Sequence, residues 1–132
     1  MKYFLDTNTC IYFLKGMYPN LLKKLLSLHP SEVQIPAIVK AELLFGAERS
    51  VKREETIEKV NAFLLPFSIA PFNSKSAVAY AAVRAELEKA GKPIGPNDLL
   101  IASTVLAANG TLVTNNEKEF KRVQGLKVEN WI

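Results

Sequence analysis

Short apolar runs alternate with stretches of helical periodicity along the whole chain, and this alternation limits the possible folds more than any other feature. Tyr3-Phe4-Leu5, Val33-Gln34-Ile35, Phe67-Ser68-Ile69, Thr111-Leu112-Val113-Thr114 and a stretch near Lys127 to Asn130 read as strands. After the first run, Thr7-Asn8 offers a cap for a helix reaching Leu14. Leu21, Leu22, Leu25, Leu26 and Leu28 recur at helical spacing up to His29-Pro30. Pro36 opens a helix to about Arg49, and Ile57, Val60, Phe63 and Leu64 mark another from Glu54 to Leu65 that stops before Pro66. Asn73 or Ser74 starts an Ala-rich helix through Ala90, with Gly91 as its C-terminal cap. Asn97 to Ala108 is apolar on nearly every face and is expected to be buried; Asn116 can cap a short helix around Glu117 to Phe120. The pattern predicts an α/β fold: a central parallel sheet of four to five short strands flanked by helices, with its ligand site outside the carboxyl ends of the strands.

At 132 residues the chain fits a single domain, expected to span 1–132, and no repeat or linker-like stretch interrupts it. With 48% apolar and 23% charged residues, disordered, collagen-like and repeat architectures are excluded. One Cys and one His leave no Cys/His zinc site, no disulfide framework and no chemistry that needs two histidines. Cys10 is expected in the core. The opening MKYFLD meets a charge too early for a signal peptide, and the uncharged run Leu99 to Asn116 is broken by Asn109-Gly110, so a cytoplasmic protein without a membrane anchor is expected.

The acids say more than the net charge of +4, which by itself is weak support for a nucleic-acid partner. Asp6 and Asp98 are the only aspartates, and both adjoin apolar runs where a surface carboxylate is not expected. If Asp6, Glu42, Asp98 and Glu119 gather at one site, nine acids face 17 cations on the rest of the chain. An acidic centre in a basic body suits a metal-dependent enzyme acting on a polyanion.

Each acid also has a structural reading. Asp6 ends a strand, where such sheets place ligand-binding groups, with an Asx turn or a cap for the next helix as the structural alternative. Glu42, with Ile38 and Phe45 on its face, projects from an apolar stripe and needs a partner, which a salt bridge could supply. Asp98 in the first turn of a helix suits the dipole, although that alone does not require so apolar a setting. Glu119 follows Asn116 at capping-box spacing and could fold back onto the Asn116 N–H. Gathered by separate elements at one sheet edge, such carboxylates make an oxygen-rich site for Mg²⁺ or Mn²⁺, and like charges resist joint ionisation until a cation neutralises them. Metal-assisted phosphodiester hydrolysis is the chemistry this composition permits.

The segments Phe4-Leu5-Asp6-Thr7-Asn8, Ala41 to Ala47, Arg84-Ala85-Glu86-Leu87, Gly95 to Ala102, Val113 to Asn116 with Glu119-Phe120, and the closing Gly125 to Trp131 resemble, in order, the VapC-type toxins of the PIN-domain ribonucleases. The resemblance covers essentially the whole chain. It implies a PIN domain, the toxin of a type II toxin–antitoxin pair, and RNA cleavage with Mg²⁺ or Mn²⁺. It further implies a VapB-type antitoxin and a homodimer. In that frame Asp6 and Asp98 match the family's metal-binding aspartates and Glu42 its third acid, while Thr7 and Thr114 lie nearby as polar or substrate-facing groups. Many PIN domains carry a fourth acid shortly after the Thr of the fourth strand; this chain has Asn116 there, with Glu119 three residues on. A water-holding role is expected for Glu119 and a local structural one for Asn116. The Thr-Asn-Asn at this point resembles toxins that cut initiator tRNA in its anticodon loop.

Two other readings compete. A catalytically inactive PIN-like module would bind RNA or protein through the same groove without turnover. A phosphoacceptor receiver domain would want paired acids after the first strand and a Lys after a later one, whereas Asp6 is followed by Thr7-Asn8 and Thr114 by Asn115.

Overall fold

The computed structural model describes residues 2–132. Five strands, β1 (Tyr3–Leu5), β2 (Val33–Pro36), β3 (Ser68–Ala70), β4 (Thr111–Val113) and β5 (Lys127–Glu129), form one parallel sheet in the order β3-β2-β1-β4-β5. The helices are α1 (Thr7–Leu14), α2 (Pro19–Ser27), α3 (Ala37–Glu48), α4 (Arg53–Leu64), α5 (Ser74–Lys89), α6 (Pro96–Ala107) and α7 (Glu117–Phe120), with one 3-10 turn at Pro30–Glu32.

The strand order positions the site. The chain winds outward through β1, β2 and β3, then returns to lay β4 on the other side of β1. The carboxyl ends of β1 and β4 therefore flank the point where the winding reverses, and a crevice opens there in such sheets. Register pairs Leu5 with Val113, so the next residues, Asp6 and Thr114, emerge side by side. Phe4, Leu5, Leu112 and Val113 are fully buried, which fixes this register because a one-residue slip would turn every side chain to the other face. The Asn109-Gly110 turn leading into β4 is specific. Asn109 takes a left-handed conformation (φ 54°), and a Cβ on Gly110 would run into the Phe4 ring.

α6 is buried as its composition predicts, with Leu99, Ile101, Ala102 and Val105 in the core. The Ser103 and Thr104 hydroxyls on its inner face donate to the carbonyls of Leu99 (2.7 Å) and Leu100 (2.9 Å), so no buried donor is stranded. Cys10 is wholly buried. At the C-terminus Trp131 packs edge-on against Tyr3, with ring centroids 5.1 Å apart. Among the described residues no helix is long and apolar enough to cross a membrane.

Several boundaries differ from the sequence reading for identifiable reasons. Pro36 closes β2 and caps α3 instead of opening it, because its ψ of 142° is extended. α6 begins at Pro96, whose missing N–H costs nothing at a first helical position. Thr7 and Asn8 lie inside α1, which is capped by Asp6.

Candidate active site

Asp6 leaves β1 almost wholly buried, 6% exposed, and its carboxylate is held from two sides. Oδ1 accepts the Thr9 N–H at 2.9 Å, the N-cap bond of α1, and the Thr114 hydroxyl donates to Oδ2. Thr114 Oγ1 in turn accepts the Asn116 N–H at 2.9 Å. The run from Asn116 through Thr114 to Asp6 spends the only proton of the Thr114 hydroxyl on the carboxylate, so the latter's orientation is fixed by β4 as well as by α1. Burial pushes the Asp6 carboxyl above its usual range despite the bonds from Thr114 and Thr9 that favour the charge, and Glu42 adds to the upward pressure.

Glu42 sits midway along α3, where Val39, Leu43 and Ala47 form the buried stripe. Ile38, Glu42 and Phe45 lie beside that stripe, on the rim of an open cleft, and Phe45 is 60% exposed. The expected apolar burial of Glu42 is thus corrected: it is half-buried, and its partner is the Thr7 hydroxyl, which donates to Oε1 at 2.7 Å. Among the described residues no cation pairs with it.

Asp98 lies in the first turn of α6, half-buried, and its carboxyl is pushed up to about 6. Loss of water is the largest cause, followed by the negative charges of Glu119, Asp6 and Glu42 in that order. The charges of the other three acids picked out in the sequence therefore all bear on Asp98, and that of Glu42 bears on Asp6 as well. They do not close around a single point: among the described residues no three His, Cys, Asp or Glu side chains form a metal cage.

Glu119 departs most from expectation. Its Oε1 accepts the Gly95 N–H at 3.0 Å and its Oε2 accepts Asn116 Nδ2 at 2.8 Å, which together hold it below the usual carboxylate range. The capping box predicted for Asn116 and Glu119 does not form. The Asn116 N–H is already given to Thr114, α7 has no side-chain cap, and the Asn116 amide turns to Glu119. A Cβ placed on Gly95 would lie 3.7 Å from Asp98 Oδ2 and 4.0 Å from Glu119 Oε1, so these two carboxyls face one small space that the glycine leaves clear.

Two positioning groups escaped the sequence reading. Thr9 was legible as the third residue after Asp6, the spacing of an N-cap acceptor and its donor. Gly95 had a weaker signal: it precedes a Pro at the first position of a helix, which leaves its own N–H outside the helix and available. Asn97 and Leu100 of α6 also line the cleft that Thr7, Glu42 and Arg49 border.

Acidic side chains thus gather at the carboxyl edge of a small parallel sheet, with Asp6 and Glu42 each held by a threonine hydroxyl. The PIN domain profile matches residues 3–126, and the chain belongs to the PIN domain family. It is 45% identical to Ribonuclease VapC2 of Rickettsia felis, over 99% of this chain and 98% of that protein. It is 34% identical to the tRNA(fMet)-specific endonuclease VapC of Salmonella typhimurium, again over 99% and 98%. Among solved structures, the VapBC2 complex of Rickettsia felis bound to a promoter DNA fragment superposes with a TM-score of 0.93 at 42% identity over all of both chains. The DNA-bound VapBC of Salmonella typhimurium gives 0.94 at 33% identity, over 100% of this chain and 99% of that one.

Proposed function

We propose that this chain is the toxin of a type II toxin–antitoxin pair and an endoribonuclease, with residues 1–132 working as one PIN domain. The observation that carries this is Asp98, a half-buried carboxyl under the negative charge of Glu119, Asp6 and Glu42 at the sheet's switch point. Such an arrangement is unfavourable until positive charge enters, which is what a site built for a cation and a phosphate requires.

The donor set fits a hard divalent ion. It consists of oxygen only, and so sparse a carboxylate set suits Mg²⁺, which keeps several waters and is completed by substrate phosphate. Asp6 and Asp98 would hold Mg²⁺ or Mn²⁺, and the ion when bound supplies activation of the attacking water and neutralisation of phosphate charge. Asp6 enters with its direction set by Thr9 and Thr114. Glu42, steadied by Thr7, borders the cleft between α1, α3 and α6 and adds its negative charge to Asp6 and Asp98. Glu119 stays ionised because Gly95 and Asn116 donate to it, and so it serves as a fixed acceptor orienting water next to Asp98. Thr7 and Thr114 position carboxylates; Asn116 positions Glu119.

Initiator tRNA, cut in its anticodon loop, is the substrate we infer, from the relatives named tRNA(fMet)-specific and from Thr114-Asn115-Asn116. For the antitoxin, an apolar cleft lined by Ile11, Leu14, Leu43, Ala47 and Val60 runs up to Glu42. An antitoxin of the VapB type would lay apolar side chains there and present a basic group to the acids, on a toxin that is a homodimer. Protein stripped with EDTA is incubated with total RNA and with initiator tRNA, with and without Mn²⁺, and new 5′ ends are mapped. A single new end in initiator tRNA, dependent on the ion, is expected. Ion and RNA binding without any cleavage would instead establish the inactive-module reading.

A further inference from the structure

The acidic crevice has a basic neighbour whose placement the catalytic reading does not use. A groove between the C-terminal end of α5 and α7 is lined by Lys92, Lys118, Lys121 and Arg122, with Glu86 as its one acid. Four cations to one acid is a strong local bias in a chain that carries 17 to 13 overall. Among the described residues Lys92, Lys118 and Arg122 join no ion pair, and Lys121 has only an exposed contact with Glu117 at 3.6 Å. The groove is also fastened to the site: Arg122 Nη1 donates to the Pro93 carbonyl at 3.1 Å, two residues before the Gly95 that holds Glu119. No aromatic ring lines it, so it offers nothing for a base to stack on.

We propose that this groove takes the sugar-phosphate backbone of the RNA strand leading away from the scissile phosphate, independently of sequence. The proposal rests on the nuclease reading and extends it. A polyanion crossing four carboxylates is repelled unless cations flank them, and this groove supplies cations on a surface that the Arg122–Pro93 bond ties to the Gly95 segment holding Glu119. Phosphate contacts fix register and direction, while base identity is read elsewhere.

The test is the salt dependence of binding to a short fluorescein-labelled oligouridylate, with the full chain kept in EDTA. Each phosphate contact on a single strand contributes about 0.7 to the slope of log Kd against log salt, so Lys92→Gln with Lys118→Gln should lower the slope by about 1.4. Lys92→Arg with Lys118→Arg should restore it, and Lys23→Gln with Lys52→Gln on other surfaces should not change it. With Mn²⁺ present, the Gln pair should raise KM for RNA and leave kcat at saturating RNA intact. A slope equal to that of the control overturns the proposal. So does an unchanged slope with lost antitoxin affinity, which would make the groove a protein-docking surface. If the wild-type chain cuts no RNA while the slope still falls, the nuclease reading fails and the groove assignment stands.

Discussion

The two sides of the acidic crevice hold their carboxylates by opposite means. On the β1 side, Asp6 is anchored by the fold: it caps α1 through Thr9, takes the Thr114 hydroxyl and is nearly out of reach of water. On the α6–α7 side, Asp98 and Glu119 face each other across the space beside Gly95, and their proton affinities are driven apart, Asp98 upward and Glu119 downward. The first side is part of the framework of the fold. The second is a charged device that the fold tolerates at a cost. Removing the Asp6 carboxylate should therefore weaken the protein, whereas removing the Asp98 charge should relieve it.

The largest effects should come from Asp98 and Asp6. Asp98→Asn should abolish cleavage while thermal stability holds or rises, since one of the mutually repelling charges is gone. Asp6→Ala should also abolish cleavage but cost about 2 kcal/mol, because the α1 cap is lost and buried donors on Thr9 and Thr114 lose their acceptor. Urea melts and turnover of both variants check this. Equal destabilisation by the two substitutions would break the contrast, and wild-type turnover in Asp98→Asn with the ion still bound would remove Asp98 from the metal site.

The pH dependence of stability in EDTA sharpens the same contrast. An acid whose proton is held more tightly in the folded state stabilises the fold when protonated, and that contribution disappears as pH rises. For Asp98 the loss should run from the ordinary carboxylate value of 3.8 up through about 6. Discounted for its exposure, the loss is about 1 kcal/mol. Glu119, held low, works in the reverse sense: its contribution is present above 4.5 and fades as pH falls through its folded value. Compared with Asp98→Asn, the wild type should lose stability between mildly acidic and neutral pH, and Mn²⁺ should cancel that loss by binding the folded state. A difference between the two proteins that does not vary with pH would show that the charges around Asp98 are not coupled.

Glu119→Gln follows in size. Gln keeps an acceptor for Gly95 but removes the charge, so turnover should fall about 10- to 100-fold while ion affinity stays within a few fold. Single-turnover rates and Mn²⁺ titrations separate the two quantities.

What the sequence disclosed and what it hid divides along the same line as the two sides of the site. The sheet was legible because its strands are apolar runs bounded by turn residues, and the place of Asp6 at the end of β1 was legible because it closes the first such run. The partner of Glu119 was not. Asn116 and Glu119 have the spacing of a capping box, and nothing local reveals that Thr114 takes the Asn116 N–H or that Gly95, 24 residues before Glu119, reaches it through the α6 start. Glu42 failed in a similar way. Its helical face reads as apolar from Ile38 and Phe45, yet α3 is rotated so that Val39 and Leu43 meet the core and this face borders the cleft. Tertiary placement decides both, and periodicity along one helix does not carry it.

The smallest effect expected is at Asn116, where the sequence suggests the loss of a helix cap, usually worth 0.5 to 2 kcal/mol. The structure lowers that figure. Asn116 makes no side-chain cap, and its backbone N–H to Thr114 survives in any non-proline variant. Asn116→Ala removes only the bond from Nδ2 to Glu119, at an exposed site, so stability should fall by about 0.5 kcal/mol. The Glu119 carboxylate then keeps the Gly95 N–H alone and swings more freely, which should reduce turnover less than Glu119→Gln does and leave Mn²⁺ affinity unchanged. Restoring a donor with Asn116→Gln tests whether reach matters, since the longer amide cannot meet Oε2 from the same backbone position without moving it. Melting curves, turnover and Mn²⁺ affinity for the three variants decide the matter: full activity in Glu119→Gln beside lost activity in a stably folded Asn116→Ala would give the fourth-acid role to Asn116 and reduce Glu119 to a structural clamp.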